Sequence, residues 1–480
     1  MNSWSNKIAS IITELQPHQK RALRKALKNN LLMAHSMGSG KTLTAIAAAD
    51  AIGKPTTVLT PASLVENFRK EIAKHKKGGP KIDVMSLPTA ASQNYEVPKG
   101  NTLIIDEAHA LRNSGTARSA YVNKQAERAG RILALTGTPA YNSIENWAPL
   151  VNLAARQPLL PETEAAFRDA YLKEKRTQPS LFNRIFHKVK PGVSYSLDDP
   201  DRIVSKISPY VDVFDADVNK PEREEEYIEV PMDPDQAKTY KFVEGTIPAG
   251  LRYKLKHNLP PSKSEAATLN SFYSGVRQVS NTPAGFSTTN TEPGAKLRAA
   301  AKTLAKHYKE NPKFRGFVYS NYLQAGLDPY GELLEKEGVP YSKFTGALTQ
   351  RQKKDIVDDY NNGRTPVIIG SGSASEGLDL KGTSLMQILE PHFNNARLEQ
   401  VIGRGIRYKS HDHLPKAQRK VIVQRYISTL PEEKRSLLKR LFGIKEETPT
   451  AIDQYLRTRS EEKEAIMQEL KKALLKANKE

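Results

Sequence analysis

Leu31-Leu32-Met33-Ala34-His35-Ser36-Met37-Gly38-Ser39-Gly40-Lys41-Thr42 is the stretch that decides the fold. A short apolar run meets a Gly/Ser turn, and the turn opens into the helix-forming Leu43-Thr44-Ala45-Ile46-Ala47-Ala48-Ala49. Strand, glycine loop and helix in that order make a phosphate cradle. Glycines let backbone N–H groups approach the oxygens, and the helix N-terminus adds a favourable dipole. On this reading Gly38, Ser39 and Gly40 line the cradle, Lys41 reaches the β/γ-phosphates and the Thr42 hydroxyl binds Mg²⁺. The strict G-x-x-x-x-G-K-[ST] pattern is not met, because His35 stands at the first glycine position. A Gly/Ser turn that merely caps a helix is the bland alternative.

Working outward, Leu103-Ile104-Ile105 runs straight into Asp106-Glu107-Ala108-His109. A buried strand that delivers two carboxylates to its C-terminal end matches where α/β sheets bind ligands. Asp106 is then the Mg²⁺ residue, through water, and Glu107 the group that orients and deprotonates an attacking water. His109 is not read as a metal ligand, because the ten histidines show no zinc spacing and no Cys is available. Further apolar runs at Thr57–Leu59 and Ile132–Leu135 read as parallel strands, with helices at Thr42–Ile52 and Ser63–His75 between them. Residues 1–155 therefore form one α/β lobe. Residues 156–295 read as a mainly helical insertion, with an acidic cluster from Glu222 to Glu226. The alternation returns in 296–430, with strands at Phe314–Tyr319, Pro366–Ile369, Leu385–Leu389 and Val421–Ile427. Residues 431–480 read as charged helices broken near Gly443 and Pro449.

Composition bounds the function. The 480 residues carry 73 Lys+Arg against 53 Asp+Glu, a formal charge of +20. Residues 1–155 hold +10 of it and 301–430 hold +7, so the excess is distributed rather than tailed, as suits a polyanion partner. The absence of cysteine excludes disulfides, thiolate metal sites and thiol catalysis. The longest apolar runs, such as Ala45–Ala49, fall far short of the ~20 residues of a membrane span. Met1–Lys7 has no charged lead into an apolar stretch, so no signal peptide is expected, and a cytoplasmic setting fits.

Taken together these residues resemble helicase superfamily 2, and within it the Swi/Snf-like ATPases. Leu15-Gln16-Pro17-His18-Gln19 is similar to the family's adenine-recognition motif, with Gln19 as reader. Asp106 to His109 is its DEAH box, Val58 to Leu64 resembles a nucleic-acid contact segment, and Leu135 to Asn142 the coupling motif. Phe317-Val318-Tyr319-Ser320-Asn321, Phe344-Thr345-Gly346 and Ser375 to Leu380 resemble motifs of the second lobe, while Arg277 to Asn281 resembles a stretch of the insertion. Gln400-Val401-Ile402-Gly403-Arg404-Gly405-Ile406-Arg407 fits the closing Q-x-x-G-R-x-x-R. The family usually has acidic residues where His35 and Ser36 stand, and a small Gly-rich stretch where Ser375 and Glu376 stand.

The resemblance implies two RecA-like lobes, ATP with Mg²⁺, and a nucleic-acid partner, duplex DNA first. A strand-separating DNA or RNA helicase, or an ATPase subunit bound to RNA polymerase, is the alternative. It implies that Arg404 and Arg407, with Gln400, act on the γ-phosphate from the second lobe, that Asp379 lies at the nucleotide, and that His109 has a coupling role toward Thr136–Pro139. Because Arg404 and Arg407 are three apart, a helix would point both to one side. Pro61, Thr138, Ser320, Thr345, Gly346 and Ser373 are the candidate nucleic-acid contacts, since small hydroxyls and backbone groups grip phosphate without reading bases. Arg168, Lys173, Lys175, Arg176, Arg184, Lys188 and Lys190 form a basic stretch that suits either a phosphate track or a solvated face. The compact size is similar to helicases and nucleoside triphosphatases of large cytoplasmic DNA viruses; a phage or bacterial relative fits as well.

Overall fold

The computed structural model describes residues 10–36, 38–137, 144–215, 220–266, 268–372, 378–393, 395–407, 409–432 and 449–478. The chain divides into two compact units. The first holds Met1–Lys173, Tyr195–Val218 and Lys463–Glu480, and the second holds Glu174–Ser194 and Asn219–Glu462.

The first unit is built on a six-stranded sheet. Its strands are β1 (Leu31–His35), β2 (Thr56–Thr60), β3 (Ile82–Ser86), β4 (Thr102–Ile105) and β5 (Arg131–Thr136). Beyond the two-stranded pair β6 (Leu172–Thr177) and β7 (Gly192–Leu197), β8 (Val211–Phe214) completes it. The order is β3-β2-β4-β5-β1-β8 with every neighbour parallel. Both faces are covered, which is why the strands read as unbroken apolar runs. Leu32 and Ala34 enter one core with Trp147 and Leu150; Leu31 and Met33 enter the other with Ala22, Ala45 and Phe68.

Helix α1 (Pro17–Lys28) starts with a capping box between Gln16 and Gln19, has Pro17 in its first turn, and ends on Lys25 and Lys28, which favour the dipole. Helix α2 (Lys41–Ile52) has every residue from Leu43 to Ala51 buried; small alanines let it pack on all sides. Helix α3 (Val65–His75) instead buries only Phe68 and His75.

The second unit repeats the plan. Strands β9 (Glu222–Pro231), β10 (Gly316–Tyr319), β11 (Tyr341–Phe344), β12 (Val367–Gly370), β13 (Leu385–Ile388) and β14 (Lys420–Thr429) form an all-parallel sheet in the order β11-β12-β10-β13-β14-β9. Ala295–Glu310 and Asp328–Lys336 cover one face; Gln350–Asn361 and Asn395–Gly405 cover the other.

The region 156–295, expected as a mainly helical insertion, differs from that picture: it supplies an edge strand to each sheet. β8 pairs with β1, and β9 pairs with β14 over ten residues. The acidic cluster survives in a strand because Glu225 bonds Arg425, and Glu399 takes Arg425 at 2.6 Å and Arg223 at 2.6 and 2.9 Å. Of the charged tail, the described residues form one helix, Ile452–Ala477. Ile452, Tyr455 and Leu456 lie in a core of the second unit with Tyr240 and Tyr273, whereas Leu470 and Leu474 lie in the core of the first. Among the described residues no helix is long and apolar enough to cross a membrane.

Candidate active site

The loop between β1 and α2 turns on two glycines in the left-handed region, Gly38 at φ +80° and Gly40 at φ +78°. Gly40 is needed twice over, since a Cβ there would fall 2.5 Å from Gln19 Nε2. The Lys41 ammonium donates to the carbonyls of His35 at 2.8 Å and Ser36 at 3.2 Å, wrapping the loop around itself. Among the described residues the buried Ser39 hydroxyl has no hydrogen-bond partner, which leaves it open to a ligand bearing acceptor oxygens. Gln19 is buried as well. Its Oε1 accepts from Gln16 N at 2.8 Å and its Nε2 donates to Gly40 O at 3.3 Å, which locks the start of α1 to the loop.

Two carboxylates stand at the end of β4. Asp106 is half-buried, accepts from Thr60 Oγ1 at 2.9 Å, and joins the ends of β2 and β4. Desolvation, with the Glu107 carboxylate beside it, pushes Asp106 up to about 6 against the pull of the Thr60 hydroxyl. Glu107 adopts φ +51°, a left-handed strain costing about 1 kcal/mol for a side-chain-bearing residue. It lies 3.1 Å from His109 Nδ1, and His109 Nδ1 lies 3.5 Å from Thr136 Oγ1. Glu107, His109 and Thr136 thus form one chain along the sheet edge that holds the loop. Among the described residues no three His, Asp or Glu converge as a metal site.

Sequence reasoning missed the support beneath the loop. Asp212, on β8, is fully buried; it accepts from His35 Nε2 at 2.7 Å and from Arg21 at 2.9 and 3.0 Å. Burial alone would raise its carboxyl, but the hydrogen bonds from His35 and Arg21 outweigh that and hold it at about 2. Burial also lowers His35, against the pull of Asp212. Phe214, two residues on, stacks flat on His18 at 3.6 Å between ring centroids, and His18 Nε2 lies 2.9 Å from Ser39 O. The family's acidic residues are absent at His35 and Ser36; here the carboxylate comes from the neighbouring strand. The only sequence signal was the short apolar alternation Val211-Asp212-Val213-Phe214 between Pro209 and Asp215.

In the second unit the helix Asn395–Gly405 carries Gln400 and Arg404, but it closes at Gly405, so Arg407 stands on the following turn. The one-turn argument for that pair does not hold; Gly405 packs so tightly that a Cβ would fall 2.9 Å from Met386 Sδ, and the chain turns there. Arg407 pairs with Asp379 at 3.2 Å, not with Glu399 or Asp412. Ser320 is also not where a strand could reach it. Its hydroxyl is enclosed and donates to Glu390 Oε1 at 2.6 Å, within a buried knot that includes Asn281 and the Asn321 backbone N–H at 2.8 Å. Pro61 follows β2, Thr345 and Gly346 follow β11, and all three retain exposure. Thr138 and Ser373 lie outside the described residues. Arg168 of the basic stretch is spent on Glu145 at 2.7 Å and Glu164 at 3.0 Å, and Lys173 on Asp198 at 2.7 Å.

Residues 89–284 match the SNF2-related domain, and residues 296–409 match the helicase conserved C-terminal domain. A protein of Acanthamoeba polyphaga mimivirus, named as a candidate ATP-dependent RNA helicase, is 30% identical over 469 residues, covering 94% of each chain. The termination factor NPH-I homologue of African swine fever virus is 24% identical over 501 residues, covering 83% of this chain and 69% of that one. The SWI2/SNF2 ATPase core of Sulfolobus solfataricus, solved with double-stranded DNA, aligns over 97% of this chain and 98% of its own at 17% identity, with a TM-score of 0.37.

Proposed function

The chain belongs to the Swi/Snf-like ATPases of helicase superfamily 2 and is a nucleic-acid-dependent ATPase; from that premise we propose that it hydrolyses ATP to translocate on, or remodel, double-stranded DNA. One observation carries the reading. The Glu107–His109–Thr136 chain runs from the hydrolytic carboxylate to the strand end that precedes the coupling segment. Hydrolysis and nucleic-acid grip then share one rigid edge.

The residues have separable tasks. Gln19 and the loop Gly38–Thr42 hold adenine and phosphates, and Lys41 leaves its carbonyls for the β/γ-phosphates. Thr42 and Asp106 would hold Mg²⁺, which would supply charge neutralisation at those phosphates. Glu107 orients the attacking water and takes its proton. Arg404 and Arg407, with Gln400 beside them, meet charge developing on the γ-phosphate when the lobes close during turnover, an arrangement worth ~10³–10⁵ in rate. Asp379 holds the Arg407 guanidinium until then. Pro61, Thr345 and Gly346 touch the phosphate backbone, joined by Thr138 and Ser373.

The test is ATP turnover measured with duplex DNA, single-stranded DNA and RNA, beside displacement of a triplex-forming strand. Duplex-specific stimulation with triplex displacement is expected. Stimulation by RNA alone overturns duplex translocation. A second reading, an ATPase subunit of a transcription complex, is favoured by the name of the African swine fever virus relative. A complex with RNA polymerase that survives Lys41→Ala identifies it.

A further inference from the structure

Between β6 and β7 the chain makes a short helix, Leu181–Phe186, capped by the Ser180 hydroxyl. Its upper side is almost bare of protein: Leu181 is 73% exposed, Phe182 58%, Ile185 68% and Phe186 67%. Its lower side is fastened. Asn183 Nδ2 donates to the Tyr253 hydroxyl at 2.6 Å, His187 stacks on Tyr253, and Val189 is buried. Gly250 lies so near that a Cβ would meet Lys188 O at 2.7 Å. Val193 N bonds Pro261 O at 2.9 Å, which pins the returning strand. Four large apolar side chains are thus held in water on a secured floor, the signature of a contact surface.

Phe182 and Phe186 face each other with centroids 4.5 Å apart, one helical turn between them. The same segment, Glu174–Ser194, carries Lys175, Arg176, Arg184, Lys188 and Lys190 against the single carboxylate Glu174. Glu174 is already engaged by Lys263 at 2.7 Å and Arg176 at 2.5 Å. Exposed aromatic faces on a strongly basic segment suit unpaired nucleic acid, where bases stack and phosphates meet Lys and Arg. A second copy of the chain is a poor occupant, since this face and the whole chain at +20 repel their like.

We infer that the Leu181–Phe186 helix is a stacking platform for an unpaired strand of nucleic acid, with Phe182 and Phe186 taking bases and Arg184, Lys188 and Lys175 the phosphates. The inference rests on the motor reading and deepens it, because it adds an unpaired strand to the ligands of this chain. A motor with such a platform holds one strand apart from its complement.

The experiment compares the full chain with Phe182→Leu/Phe186→Leu and Phe182→Trp/Phe186→Trp. Each is titrated with single-stranded DNA, single-stranded RNA and duplex DNA, and its thermal midpoint is recorded. The Leu pair keeps apolar bulk but loses the π-face, so single-strand affinity falls about ten- to hundredfold while duplex affinity changes far less. The Trp pair retains single-strand binding. A loss on both DNA and RNA strands assigns base stacking, and a loss on one of them assigns stacking with sugar selection. Undiminished single-strand binding by a folded Leu pair overturns the inference and leaves the face to an apolar protein partner. Should the unaltered chain bind no nucleic acid, and none stimulate its turnover, the motor reading itself fails first.

Discussion

On the proposed reading Lys41 serves binding and Glu107 hydrolysis, and single substitutions separate the two. Lys41→Ala removes the ammonium that faces the β/γ-phosphates, so turnover is abolished. Glu107→Gln keeps nucleotide binding and loses hydrolysis, trapping a nucleotide-bound state; radiolabelled phosphate release and fluorescent-nucleotide titration check both. Asp212 makes a different demand, on stability. Removing its charge leaves His35, Arg21 and Lys25 around a neutral amide in a closed site, so Asp212→Asn costs about 3–5 kcal/mol by urea unfolding. The sign of its pH dependence follows from a depressed carboxyl. Its stabilisation is complete above the ordinary value of 3.8 and is lost as pH falls through about 2, a span worth about 2 kcal/mol. His35, lowered by burial, adds acid sensitivity that begins already near its ordinary 6.5. The gap in unfolding free energy between the protein and Asp212→Asn therefore narrows toward pH 2; an unchanging gap refutes the buried pair.

The turn that follows the helix Asn395–Gly405 carries Arg407, and the role proposed for that residue has its own test. Arg407→Ala leaves nucleotide binding largely intact, because Gln19, Lys41 and Thr42 belong to the first unit, but turnover falls by about 10³ and nucleic acid no longer stimulates it. Strong DNA-stimulated hydrolysis in that variant would sink the two-lobe mechanism. Elements of this kind were legible from sequence where local pattern was enough. The apolar runs at Leu31, Thr57, Leu103 and Ile132 each became a strand, because parallel strands covered on both faces need nothing but apolar side chains. The glycine turn into α2 was legible because Gly38, Gly40 and Lys41 stand nearly side by side. The edge strands β8 and β9 were not, for opposite reasons. Val211–Phe214 carries a charge in its middle, and that charge makes sense only with His35 and Arg21, about 180 residues away, in place. Glu222–Pro231 reads as solvated acid until Arg223 and Arg425 supply partners. Likewise Ser320 looks like a surface hydroxyl until Glu390 encloses it, and the spacing of Arg404 and Arg407 could not reveal the stop at Gly405.

Charge acts at the scale of the whole molecule. With +10 on residues 1–155 and +7 on 301–430, affinity for nucleic acid falls steeply between low and physiological salt and varies little with base sequence. Fluorescence anisotropy across a salt series checks this, and a flat response would mean that backbone phosphates are not the main contact. The path of the chain sets a further condition. Deleting residues 463–480 removes Leu470 and Leu474 from the core around Leu32, Trp147 and Leu150, together with the bond from Lys25 to Asn478 at 2.6 Å. That truncation lowers the thermal midpoint and weakens nucleotide binding even though no nucleotide-binding residue is touched, as differential scanning with and without nucleotide will read. The same wiring governs how the protein is born. Strands β1 to β5 leave the ribosome early, yet their core includes a helix translated more than 300 residues later, roughly 15–65 s at ~5–20 residues per second. During synthesis this half keeps part of its apolar core open until that helix follows.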